Sequence, residues 1–253
     1  MFTLATIVPW GRTFDEYGRM FALSRADAGR SILGAADGPA SFNADATRRG
    51  WRVTSCDPLY RYAADEMRAR IAATFDEVID QTRQNAGEFV WDASIPSIDA
   101  LARLRAGAMN AFLDDFAGGL AQRRYVDGEL PSLPFGDDDF DLALCSHFLF
   151  LYSQQLGADF HVAGARELCR VAREVRIFPL LALGGGPSPH VTSVADALLR
   201  EGGFNVSIET VPYEFQRGGN RMMRITRLSS RAGRGRSDAG RRGSLYPARR
   251  IRR

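Results

Sequence analysis

The chain has 253 residues, of which 45% are hydrophobic and 25% are charged, the composition of an ordinary globular protein. No apolar run reaches the roughly 18 residues that a membrane-spanning helix needs. The first residues lack the basic start and long apolar stretch of a signal peptide, so we expect a cytoplasmic protein. Cys56, Cys145 and Cys169 form no C-x-x-C pair, and we expect neither a zinc site nor a disulfide.

The positive charge is concentrated at the carboxyl end. Residues 229–253 contain nine arginines and one acidic residue, Asp238, which gives them a formal charge of +8. Because the whole chain is +3, residues 1–228 have a net charge of −5. A stretch so rich in Gly, Ser and Arg is predicted to be disordered. It is either a solvated extension or a weak electrostatic tether to nucleic acid or anionic surfaces.

Strand and helix signals alternate along residues 30–228. The predicted strands are 30–34, 51–56, 125–126, 140–146, 174–181, 204–210 and 221–227. The predicted helices are 41–49, 62–85, 98–122 with a break near Gly107 or Gly118, 162–172 and 191–201. This alternation is typical of an α/β fold. We predict a doubly wound, mostly parallel seven-stranded sheet with helices on both faces, and an antiparallel strand near its end.

Residues 31–60 have the pattern of a nucleotide-binding strand–turn–helix–strand unit. Gly34, Ala36 and Gly38 would let the backbone approach a ligand closely. Asp57 follows the turn by about twenty residues, where a carboxylate can accept hydrogen bonds from both ribose hydroxyls. The alternative is an ordinary glycine-containing turn followed by a helix-capping Asp57. The dinucleotide fingerprint is absent, because Ala36 and Pro39 stand where it needs glycines.

The same turn resembles the first motif of class I S-adenosylmethionine-dependent methyltransferases, whose loop often ends in G-P-G-S-F. Here residues 38–42 read GPASF. The acidic residue usual at the start of that motif is replaced by Gly34, and two of its glycines are replaced by Ala36 and Ala40. Asp37 is a candidate for the missing carboxylate near the amino group of the cofactor.

A second segment supports the resemblance. Residues 128–144 read GELPSLPFGDDDFDLAL and look like the run of this family in which an acid is followed by L-P-F, a turn and F-D. The resemblance implies that Glu129 receives the adenine amino group and that residues 133–135 lie against the adenine. The following strand would end at Ser146 and His147 beside the site. Residues 163–181 resemble the helix and strand that come next in the family.

The resemblance implies transfer of a methyl group from S-adenosylmethionine to an acceptor that the sequence does not identify, with a small molecule as one candidate. It implies cofactor binding by Gly34, Ala36, Asp37, Gly38, Asp57, Glu129 and Ser146, with no metal. His147 is the candidate base, although a histidine at a strand end is also a common structural residue. The Asn-Pro-Pro-Tyr motif of nucleobase and glutamine methylation is absent at residues 146–149.

Three parts of the chain are expected: an N-terminal segment, 1–29; a methyltransferase-like domain, 30–228; and the tail, 229–253. Residues 9–17 combine aromatic and charged residues, and they either fold over the cofactor or form a helix that packs on the domain. Two other functions stay open. One is a methyltransferase-like fold that binds without catalysis, and the other is a nicotinamide-dependent oxidoreductase.

Overall fold

The structure is a computed structural model that describes residues 1–4 and 6–228. The predictions for the tail therefore lie outside the described residues. Among these residues, no helix combines the length and the apolar character needed to cross a membrane.

A seven-stranded sheet forms the centre of the molecule. Its strands are β1 (Ser31–Ala35), β2 (Arg52–Cys56), β3 (Tyr125–Val126), β4 (Leu142–Ser146), β5 (Glu174–Phe178), β6 (Phe204–Thr210) and β7 (Arg221–Arg227). They lie in the order β3-β2-β1-β4-β5-β7-β6. The strands β1 to β5 pair in parallel, and β7 is antiparallel to both β5 and β6. The predicted mostly parallel sheet with a late antiparallel strand is confirmed.

Six helices surround the sheet in the described residues. They are α1 (Phe14–Met20), α2 (Phe42–Arg48), α3 (Ala64–Gln84), α4 (Ile98–Ala121), α5 (Ala158–Val171) and α6 (Val191–Glu201). Side chains of β4 alternate between the two faces, as the twofold repeat of a strand requires. Leu142 and Leu144 pack with α1 and α2, whereas Ala143 and Cys145 pack with α5 and α6. Helices on both faces are therefore confirmed.

Some predicted boundaries are wrong for identifiable reasons. Helix α4 continues through Gly107 and Gly118, although a break was predicted there. Each glycine costs about 1 kcal/mol in a helix, and the buried side chains of the other α4 residues offset that cost. Helix α5 begins at Ala158 rather than at residue 162, and β5 ends at Phe178 because Pro179 has no N–H to donate to a neighbouring strand.

Candidate active site

The carboxyl ends of β1, β2 and β4 lie side by side. Ala35 at the end of β1 is paired with Cys56 on one side and with Cys145 on the other. The residues that follow these strands therefore meet at one edge of the sheet, which is where ligands bind in open α/β folds. The structure brings Asp57 and Ser146 to this edge, next to the loop that follows β1.

The loop after β1 has two residues in the left-handed region. Ala36 has φ 56° and Gly38 has φ 55°. The N–H of Ala36 donates to the carbonyl of Cys56 over 2.8 Å, which ties the loop to β2. Ala36, Asp37 and Gly38 line the large cavity at the sheet edge.

The side chain of Asp37, a residue of this loop, is buried, and both of its carboxylate oxygens accept hydrogen bonds from the protein. Tyr17 donates to Oδ1 over 2.7 Å and Ser55 donates to Oδ2 over 2.6 Å. Burial raises the pKa of Asp37 to about 6, against the opposing effect of these hydrogen bonds. A Cβ on Gly34 would lie 1.8 Å from Asp37 Oδ2. Position 34 therefore requires glycine, because any side chain there would collide with Asp37. The sequence alone did not reveal this reason.

Asp57 connects the loop after β1 with the turn after β2. Its Oδ2 accepts from the N–H of Gly38 and its Oδ1 from the N–H of Leu59, each over 2.8 Å. Asp57 thereby caps the 3-10 turn Pro58–Arg61. Burial, together with the negative charges of Asp127 and Glu129, raises the pKa of Asp57 to about 6. Each oxygen keeps a lone pair for a ligand hydroxyl.

Glu129 lies on the segment that follows β3. Its side chain is exposed and lines the same cavity as Asp57. Leu130 and Leu133 also line the cavity. Phe135, which was expected against the adenine, packs instead edge-on to Phe140, with ring centroids 5.0 Å apart.

Ser146 and His147 end β4 on the other side of the loop. Ser146 Oγ lies 3.0 Å from His147 Nδ1, and His147 has φ 51°. Burial and the positive charges of Arg12 and Arg105 hold the pKa of His147 well below its usual value. The imidazole is therefore neutral at neutral pH.

The N-terminal residues form the roof of the cavity. Phe2 lies edge-on to Phe89 with ring centroids 5.8 Å apart, and Gln155 donates to the carbonyl of Leu4 over 2.9 Å. The N–H of Val8 donates to the hydroxyl of Tyr152 over 3.3 Å. The cavity has a volume of about 720 Å³, within the range of small-molecule sites.

Helix α1 continues this segment and packs on the domain. Tyr17 stacks on Phe42 with centroids 4.2 Å apart. Glu16 completes a capping box with Thr13 and forms a fully buried pair with Arg105, with two N–O distances of 2.7 Å. Pro9, Trp10 and Arg12 line the cavity and α1 packs on the sheet, whereas the expectation that residues 9–17 fold over a cofactor stays a prediction.

Charged side chains line the cavity at several points. Asp57 and Glu129 lie beyond β2 and β3, where Arg61 and Arg70 also line the cavity, whereas Arg12 lies near His147 beyond β4. Arg12, Tyr17 and Ser55 were not predicted as site residues. Their roles depend on contacts between distant parts of the chain, and only the aromatic and charged character of residues 9–17 pointed to that region.

Comparison with known proteins gives one relative among curated sequences. The chain is 33% identical over 218 residues to the uncharacterized protein MJ0045 of Methanocaldococcus jannaschii, covering 86% of this chain and 95% of the relative. No family model matches.

Solved structures with a similar fold include several methyltransferases. The mitomycin 7-O-methyltransferase MmcR matches at 16% identity with a TM-score of 0.46, over 85% of this chain and 54% of its own. This chain thus spans about half the length of that enzyme. The magnesium protoporphyrin IX methyltransferase ChlM from Synechocystis PCC 6803, solved with bound S-adenosylmethionine, matches at 12% identity with a TM-score of 0.42, over 85% of this chain and 91% of its own.

The sheet order and the helices on both faces are those of a Rossmann-like methyltransferase fold. With this fold, and by its sequence, the chain belongs to the same family as the archaeal protein MJ0045.

Proposed function

We propose that this protein binds S-adenosylmethionine and transfers its methyl group to a small molecule. The observation that supports this most is the position of Asp57. Its carboxylate is fixed to the loop after β1 by the N–H of Gly38 and has lone pairs left for two ribose hydroxyls.

The remaining residues at the sheet edge fit the cofactor. Glu129 lies beyond Asp57, on the adenine side, where its carboxylate can accept from the adenine amino group. The loop residues Ala36, Asp37 and Gly38 would border the methionine part. The cavity volume of about 720 Å³ is sufficient for the cofactor together with part of an acceptor.

When bound, S-adenosylmethionine supplies a methyl group on a sulfonium sulfur. The protein then has to position the acceptor in line and exclude water, which can provide much of the rate. His147 lines the cavity beside Ser146. With Nδ1–H donating to Ser146, its Nε2 lone pair could accept a proton from the acceptor. Its low pKa makes His147 a weak base, so it would assist only acceptors whose own proton is acidic.

The acceptor side of the cavity is apolar. It is lined by aromatic and aliphatic side chains of the roof and of the segments around it: Phe2, Leu4, Val8, Trp10, Phe89, Phe148, Leu151, Tyr152 and Phe215. Burial of such surface favours an acceptor with an apolar body. A small-molecule partner and a cytoplasmic location remain proposals.

Calorimetry on three variants tests the site. Hydrogen bonds to charged groups contribute about 1.5–3 kcal/mol each, so Asp57→Ala should weaken binding of S-adenosylmethionine roughly ten- to a hundredfold. Glu129→Gln keeps an acceptor oxygen and should lose less. The control is Asp139→Asn, because Asp139 is exposed in the turn before β4 and lines no part of the cavity.

We expect the loss of affinity to be largest for Asp57→Ala, smaller for Glu129→Gln and absent for Asp139→Asn. If Asp57→Ala binds as tightly as the wild type, the assignment of the ribose site is wrong. If Asp57→Ala has a lower melting temperature than the wild type, Asp57→Asn repeats the test, since its amide oxygen can still accept one of the two N–H groups that hold the turn. Absence of binding by the wild type would favour the non-catalytic alternative.

A further inference from the structure

Arg12 is a cation in the cavity wall that has no acidic partner. In residues 1–4 and 6–228, its buried Nε makes no hydrogen bond and no carboxylate lies within 4.0 Å of its guanidinium. Its one hydrogen bond there runs from Nη1 to the carbonyl of Trp10, at a long 3.4 Å.

The nearest acid cannot serve as the partner, because its oxygens are already used. The carboxylate of Glu16 accepts hydrogen bonds from both terminal nitrogens of Arg105 at 2.7 Å, from the hydroxyl of Tyr213 at 2.9 Å and from the N–H of Thr13 at 3.0 Å. Glu16 and Arg105 neutralise each other, so the positive charge of Arg12 is in excess on this side of the cavity.

A partly buried cation without a counter-ion is costly. Burial and the nearby charge of Arg105 lower the pKa of Arg12, which agrees with the absence of compensation. A bound anion would remove this cost, since a guanidinium pairs with a carboxylate through two charge-assisted hydrogen bonds.

We propose that Arg12 is the carboxylate-binding residue of this cavity. Given the proposed function, the carboxylate has two possible sources: the methionine part of the cofactor or an acid group on the methyl acceptor. Asp57 and Glu129 repel an anion on their side of the cavity, and the arginines there are either paired, as Arg61 is with Asp127, or exposed, as Arg70 is.

The first arm of the test compares two ligands of the proposed cofactor site. S-adenosylhomocysteine has a carboxylate, and 5′-methylthioadenosine has the same nucleoside without the amino-acid part. If the cofactor is the source, Arg12→Gln should weaken S-adenosylhomocysteine binding roughly ten- to a hundredfold and leave methylthioadenosine unchanged.

The second arm uses protein saturated with S-adenosylhomocysteine and compares benzoate with neutral benzyl alcohol by ligand-observed NMR. If the acceptor is the source, the wild type should prefer benzoate and Arg12→Gln should lose that preference. The proposal is overturned if Arg12→Gln removes neither preference, or if it weakens the charged and neutral ligands equally. Should the wild type bind neither nucleoside, the proposed function fails, and the same benzoate comparison on the unliganded protein tests Arg12.

Two controls separate binding from folding. Arg70→Gln removes an equal charge from the rim of the same cavity, where the exposed Arg70 stacks on Tyr62, and should bind all four ligands normally. The melting temperature of ligand-free Arg12→Gln should equal or exceed that of the wild type, because an unpaired charge has been removed. A clear fall in that temperature would show a structural role and overturn the proposal.

Discussion

At the residue scale, the site is built from ionisable groups whose pKa values burial has moved. The pKa values of Asp37 and Asp57 are both raised to about 6, and the pKa of His147 is lowered. Such groups cluster at functional sites, and these lie around one cavity. Burial is the largest cause of each shift.

His147 should stay neutral across the physiological range. Its half-buried ring is near the charges of Arg12 and Arg105, which oppose a further positive charge. We expect the ¹⁵N shifts of its ring to remain those of a neutral imidazole through the pH range in which an unperturbed histidine titrates, near 6.5. The His147→Gln spectrum identifies the signals. Titration near 6.5 would contradict the role of a neutral base.

Glu16 should be essential for stability. Glu16→Gln leaves Arg105 buried without a counter-charge, and breaking such a pair costs about 3–5 kcal/mol of the free energy of unfolding. Urea denaturation at pH 7 measures this loss. The matched control is Asp65→Asn, which breaks the exposed pair with Arg68 and should change stability by less than about 1 kcal/mol.

The same pair gives a pH dependence with a definite sign. Arg105 lowers the pKa of Glu16 to about 2 from 4.5, in opposition to burial. A depressed acid stabilises the folded state above its unfolded pKa, and this contribution is lost as the pH falls from about 4.5 towards 2. The Glu16→Gln variant should lack this part of the acid transition. An identical acid transition in both proteins would show that the pair contributes nothing.

At the element scale, β1 and the loop after it each contain a glycine, and the two glycines are required for different reasons. A Cβ on Gly34 would overlap Asp37 and displace it from Tyr17 and Ser55, whereas Gly38 has open space and only a positive φ of 55°. We expect Gly34→Ala to cost about 3 kcal/mol or more and Gly38→Ala about 1–2 kcal/mol, measured by chemical denaturation. Equal losses would mean that Asp37 is not fixed where the structure has it.

The strands and helices were largely predictable from local pattern. The strands 204–210 and 221–227 were predicted with the bounds that the structure has. Errors arose where tertiary packing outweighs local preference, as at Gly107 and Gly118 in α4. The roles of Gly34 and Asp37 escaped prediction, because they depend on Tyr17 and Ser55, which lie on other elements.

At the scale of the whole molecule, the alternation of strand and helix signals along the chain was enough to predict a mostly parallel sheet. A parallel sheet places the ends of β1, β2 and β4 together, so Asp57 and Ser146 could be assigned to one edge from sequence. The roof could not be derived in the same way, because nothing local indicates that Phe2 packs on Phe89 or that Arg12 is left without a partner.

The central claim is that the cavity at this edge holds S-adenosylmethionine. Isothermal titration of the whole protein with S-adenosylmethionine, S-adenosylhomocysteine and NADH tests it most directly. We expect S-adenosylmethionine and S-adenosylhomocysteine to bind with one molecule per chain and NADH not to bind. Binding of NADH without binding of S-adenosylmethionine would contradict it and favour an oxidoreductase.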